Sequence, residues 1–144
     1  RKDHLKEIRQ IDLDSCVKFF NDVVRQYAKL SEAEAFDNLA RNAQRAIARN
    51  ETGFDNQLHE MKRKNFSILW QQDWFVIEMF NNKVKNTYNF SDKKRFEELK
   101  RAGLSYIKED KIDELRRVIA SLVPIEIIDT SGETMLDEVN VIRG

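Results

Sequence analysis

The sequence predicts an all-α fold: a bundle of five to six helices that ends in a short helical hairpin and is followed by a C-terminal tail. Three observations predict it. Only four glycines and one proline occur in 144 residues, whereas charged residues make up 35% of the chain, a balance with too few turn residues for a sheet protein. Apolar residues recur at spacings of three and four along most of the length, the period of one helix face. Short β-like apolar runs, IEII and VNVI, appear only from Ile125 onward.

The first helix is expected to start near Lys2, with Leu5 and Ile8 in its early turns. Its buried stripe is Leu13, Val17, Phe20, Val24 and Tyr27, widened by Cys16, Phe19, Val23 and Leu30. Ser31 followed by Glu34 reads as a capping box, so a second helix should begin near Glu32. It turns Phe36, Leu39, Ala40, Ala43, Ala46 and Ile47 inward and stops near Asn50, with Gly53 beyond it. From Asp55 to about Asn86 the pattern is helical again. The central stretch, residues 66–80, is apolar on nearly every face and is expected to be buried, with Asp73 a candidate cap for a break.

Ser91 or Asp92 can cap the next helix, whose inner stripe is Phe96, Leu99, Gly103, Tyr106 and Ile107. Asp110 is expected to cap the last, which buries Ile112, Leu115, Val118, Ile119 and Leu122 until Pro124 ends it. These two short helices form the terminal hairpin. The domain reading is therefore one helical bundle over residues 1–124, and an acidic tail or weakly structured appendage over residues 125–144.

Charge and cysteine usage narrow the function classes. The net charge is zero, but the tail holds five acidic residues against Arg143 alone, leaving it at −4 and the body at +4. That is too mild to announce a polyanion partner. Cys16 is the only cysteine, so an internal disulfide is excluded and a reducing, cytoplasmic setting is expected. No signal peptide and no run of roughly 18 apolar residues is present, so no membrane partner is expected. The chain opens on Arg1 directly in a charged helical pattern, which suggests a segment of a longer polypeptide.

A search for reactive groups finds little. His59-Glu60 begins like the zinc motif HExxH, but Arg63 occupies the place of the second ligand. Cys16 lies by the apolar stripe without a histidine at helical spacing, and reads as a small buried hydrophobe. No GxGxxG, GxxxxGK[ST] or GxSxG occurs. No catalytic, metal or cofactor-binding residue is assigned, no cofactor is expected, and the chain is expected not to be an enzyme.

Two sets of residues qualify as contacts for a partner. Arg41, Arg45 and Arg49 stack three guanidinium groups on one helix face, and Lys62, Arg63 and Lys64 would extend them into a basic strip if the two helices adjoin. Trp70, Trp74, Phe75 and Phe80 form an aromatic cluster in which Trp70 and Phe80 belong to the core. Trp74 and Phe75 cannot both point into one narrow stripe, so they are the candidate interface anchors. The alternative to a protein partner is a nucleic-acid-binding helical domain that uses the Arg41/Arg45/Arg49 strip.

Two segments, NFSILWQQDWFVIEMF and FEELKRAGLSYIKEDKIDELRRVIASLVPI, together resemble the C-terminal helical region of bacterial DnaK-like chaperones of the seventy-kilodalton heat-shock class. The residues that carry the resemblance are Asn65, Phe66, Ile68, Leu69, Trp70, Gln72 and Phe75, then Phe96, Leu99 and Gly103. Glu109-Asp110 follow, and then Ile112, Asp113, Leu115, Arg116 and Val118. The match covers residues 65–125. It implies a chaperone extension or lid that meets protein clients or co-chaperones, with an ATPase domain and a β-rich client-binding domain elsewhere in the parent. None of that family's nucleotide-binding motifs lies in this chain.

Overall fold

The structure is a computed structural model that describes residues 2–127. It is all-helical, with six α-helices and no strand among the described residues. Residues packed against one another fall into two compact units, and the chain passes from the first to the second between Leu69 and Trp70.

The first unit holds three helices that pack on one another: α1 (Lys2–Phe19), α2 (Leu30–Ala48) and α3 (Phe54–Leu69). Beyond α1 the rod continues as a π-helical stretch, Phe20–Val24, and a 3-10 turn, Arg25–Tyr27. The Arg25 N–H donates to Phe20 O, five residues back, which widens the turn. That widening serves the core, because the consecutive Phe19 and Phe20 and then Val24 are all buried. Phe20 stacks on Phe36 of α2 with ring centroids 3.9 Å apart and 8° between planes. Arg25 covers the Phe20 ring and pairs with Asp37 at 2.8 Å.

The buried stripe of α1 and the π-helical stretch is Leu13, Cys16, Phe19, Phe20 and Val24. Leu30, assigned inward by the periodicity, instead opens α2 and faces solvent. The capping box is displaced as well. Backbone at Ala28 and Lys29 is already extended, so α2 starts at Leu30, and the Lys29 N–H donates to Glu32 Oε1 at 2.8 Å. Ser31 and Glu34 therefore lie inside the helix.

Left-handed residues, not glycines, terminate two helices. Asn50 follows α2 with φ 53, and the Glu51 N–H reaches back to Ala46 O at 2.9 Å, the six-to-one bond of a Schellman ending. Asn tolerates this conformation because its short side chain bonds locally, so Gly53 is not needed for the stop. Asp110, expected as the cap of the last helix, is instead the left-handed terminator of α5, with φ 59 and the Lys111 N–H on Tyr106 O at 2.8 Å.

The second unit contains α4 (Asp73–Lys83), α5 (Lys93–Lys108) and α6 (Ile112–Leu122), followed by a 3-10 turn, Val123–Ile125, that includes Pro124. The central apolar stretch breaks after Leu69, and Gln72 occupies the N-cap of α4, with Asp73 its first helical residue. Asp92 caps α5 as expected, its Oδ1 accepting from the Arg95 N–H at 3.0 Å. Phe96 and Leu99 on α5 and Ile112, Leu115, Val118, Ile119 and Leu122 on α6 form the hairpin core, and α6 packs on α4. Phe90 stacks on Phe96 at 4.4 Å.

Residues 125–127 are pinned to the loop after α4. Ile125 O accepts from the Ser91 N–H at 2.8 Å, and the Ile127 N–H donates to Asn89 O at 2.6 Å, around an isolated antiparallel bridge between Phe90 and Glu126. The Lys83 side chain, 1% exposed, meets Glu126 at 3.0 Å. A buried cation needs such a partner, since losing it leaves a desolvated charge. The remainder of the expected tail, residues 128–144, lies outside the described residues.

Candidate functional site

The break between α3 and α4 decides which of two consecutive aromatics reaches solvent. Starting α4 at Asp73 puts Trp74 on its outer face and Phe75, one residue and about 100° further round, on the inner one. Trp74 is 40% exposed and Phe75 1%, with the rings edge-on and their centroids 5.8 Å apart. Phe75 is thus corrected from candidate contact to core residue, because it offers no surface while α4 is folded. Trp74 keeps its place.

Next to Trp74 the N-terminal end of α4 is tied to α6 by one guanidinium. Arg116 Nε donates to Trp70 O at 3.1 Å, Nη1 meets Asp113 at 2.7 Å, and Nη2 lies 3.7 Å from Asp73. The sequence offered only the Arg116–Asp113 spacing as a signal for this clamp. The backbone at Trp70 becomes an acceptor because the helix has stopped there.

The structure leaves Arg41 and Arg45 of α2, and Arg49 at its C-cap, exposed. Arg41 donates to the Asn38 amide and Arg45 to Asn42 Oδ1 at 2.9 Å, both neutral, whereas Arg49 lies 3.7 Å from Glu51. Arg45, Arg49, Glu51 and Gln57 line a small polar cleft of about 210 Å³. The carboxylate among them lowers its positive potential. The α3 basic residues do not simply prolong the strip: Lys62 is half-buried and acts on the Cys16 thiol, and Arg63 pairs with Glu60 at 3.7 Å.

His4 and His59 are both exposed, and the described residues contain no group of three or more His, Cys, Asp or Glu arranged to hold a metal ion. No helix among the described residues is long and apolar enough to cross a membrane. Cys16 is 1% exposed. Burial pushes its thiol up from 9.0 to about 11, against smaller lowering effects from Lys62 and from the Asn65 amide, whose Nδ2 lies 3.6 Å from Sγ. A thiol in that state is protonated and shielded, so it is a poor nucleophile.

That shift has a stability consequence with a definite sign. The unfolded chain, with the lower thiol pKa, releases its proton first, so the contribution is fully present below pH 9 and is lost as the pH rises toward 11. The loss approaches about 2–3 kcal/mol across that window. Denaturant unfolding of the wild type and Cys16→Ala at about pH 8 and about pH 10.5 isolates it. The wild type should lose more stability than the variant, and a gap independent of pH contradicts the assignment.

Compared with protein-family models, curated proteins and solved structures, the chain finds no match.

Proposed function

We propose that the chain is a non-catalytic protein-interaction module of a DnaK-like molecular chaperone of the heat-shock class. It works in the cytoplasm, without a cofactor, as an extension or lid that docks on clients or co-chaperones. ATP hydrolysis takes place in a domain outside this chain. Two things support the reading. The residues that carry the family resemblance include the packing positions of the second unit: Phe96, Leu99, Gly103, Ile112, Leu115 and Val118 are all buried. The observation that carries the interaction itself is Trp74, a large aromatic left 40% exposed beside a fully packed neighbour. Tryptophan is among the residue types most enriched at the energetic hot spots of protein interfaces.

The test is affinity for a permanently unfolded protein, reduced and carboxymethylated, measured by anisotropy. Trp74→Ala should weaken binding about tenfold, or about 1.4 kcal/mol, while circular dichroism and the thermal midpoint stay unchanged. Undiminished affinity in that folded variant removes Trp74 as the anchor.

A second reading, binding of nucleic acid by the α2 arginines, is favoured by the neutral partners of Arg41 and Arg45. Salt separates the two readings. Phosphate binding falls steeply as salt concentration rises, because the counterions it releases then gain less entropy, whereas binding through an aromatic anchor does not.

A further inference from the structure

Beyond α6 the chain lays residues 125–127 antiparallel to residues 89–91, and the two sides of this contact are built differently. The receiving loop is fixed by bonds of its own. Asn86 accepts from the Tyr88 N–H at 2.9 Å, the Phe90 N–H donates to Thr87 O at 3.2 Å, and the Lys93 ammonium donates to both Thr87 O and Phe90 O, while the Phe90 ring stacks on Phe96. The strap is held mainly by polar contacts. Val123, Pro124 and Ile127 are exposed and Ile125 is half-buried, and a segment with so little buried apolar surface opens locally before the rest of a domain unfolds.

The contacts define what the loop recognises. Ser91 gives two donors to Ile125 O, its N–H at 2.8 Å and its Oγ at 3.2 Å, and Asn89 O accepts from the Ile127 N–H at 2.6 Å. Between these bonds the Glu126 carboxylate meets the ammonium of Lys83, whose side chain is 1% exposed, at 3.0 Å. An extended tripeptide with a carboxylate at its centre satisfies every one of these groups. Main-chain pairing gives affinity without reading sequence, so selection falls to Lys83: an occupant with no central acid takes a carboxylate away from a desolvated charge. Glu126 is itself 22% exposed, so its side of the pair lies within reach of solvent.

We infer that Lys83, Asn89 and Ser91 form a binding site for an extended acidic peptide, filled by the chain's own residues 125–127 as a displaceable strap. A partner segment of the pattern apolar–Glu–apolar takes over the same backbone bonds and the same cation by strand addition. The tethered strap competes at a roughly millimolar effective concentration, and so sets the affinity that a partner must exceed. The site is independent of Trp74 and stands whether or not that residue anchors unfolded protein.

The probe is a labelled, end-blocked peptide with the sequence of residues 123–128, VPIEII, its binding to the whole chain read by anisotropy. Glu126→Gln, which weakens the strap, should bind it at least about tenfold more tightly than the wild type. Gln in place of the peptide's Glu should undo that gain, and Lys83→Met added to Glu126→Gln should erase the preference for the acidic peptide. Hydrogen exchange tests the strap without any peptide. Glu126→Gln should lower the protection of the Ser91 and Ile127 amides at least about tenfold, while that of Phe90, bonded to Thr87 O, and of Ile119 inside α6 stays as in the wild type. No gain in peptide binding, equal binding of the Glu and Gln peptides, or a loss of protection at Ile119 as large as at Ser91 overturns the site. Dimers of the wild type that dissociate on adding the peptide also overturn it, because the strap then belongs to a second copy.

Discussion

Replacing Phe36 with alanine should destabilise the protein by about 3–5 kcal/mol, the cost of deleting a fully enclosed aromatic together with the cavity it leaves. Phe36 is fully buried and stacked on Phe20, and that pairing adds about 0.5–1.5 kcal/mol beyond area burial. The ring it stacks on belongs to the π-helical stretch, so the widened turn loses the contact that rewards it. Urea unfolding followed by circular dichroism measures the change. Leu30→Ala is the control: Leu30 is 77% exposed, and its truncation should stay within about 0.5 kcal/mol. Equal losses from the two would mean that the stripe ran where the sequence periodicity put it.

Gly103→Ala should destabilise the second unit, against the ordinary preference for alanine over glycine inside a helix of about 1 kcal/mol. A Cβ at this position would lie 2.2 Å from Phe80 Cε1 and 2.4 Å from Cζ, distances no carbon pair tolerates. The ring cannot swing away, because Phe80 is itself fully buried. Overpacking of this kind costs about 1–3 kcal/mol or more, which outweighs the propensity gain. In a Phe80→Leu background the obstructing ring atoms are gone, and the same glycine replacement should turn neutral or stabilising. The double-mutant cycle reads the coupling directly; additive effects would show that α5 does not approach α4 through Gly103.

The sequence shows the helices and hides several of their ends. Apolar spacing placed five and offered the break that separates α3 from α4 only as a possibility at Asp73, while the start of α5 was legible to one residue, Ser91 or Asp92, of which Asp92 is the cap. Ser31 and Glu34 misled, because hydroxyl and carboxylate side chains near a helix start suit several registers; the extended backbone at Ala28 and Lys29 chose Glu32 instead. Asp110 misled for a different reason: the residue type that caps a start also tolerates the left-handed turn that ends a helix. Of the candidate contacts, adjacency showed that Trp74 and Phe75 must diverge, but which faces out depends on the residue at which α4 begins. The strap at Lys83 was not legible, since helical spacing does not say that a cation of α4 meets a carboxylate beyond Pro124.

The central claim is that Trp74 is the surface by which this chain holds another protein. Phe in place of Trp70 leaves Trp74 as the sole tryptophan, and its fluorescence can then be followed while reduced, carboxymethylated protein is added. Emission should shift to shorter wavelength as the indole leaves water, along the same saturation curve as the anisotropy. An emission spectrum that stays fixed while binding saturates would contradict the claim.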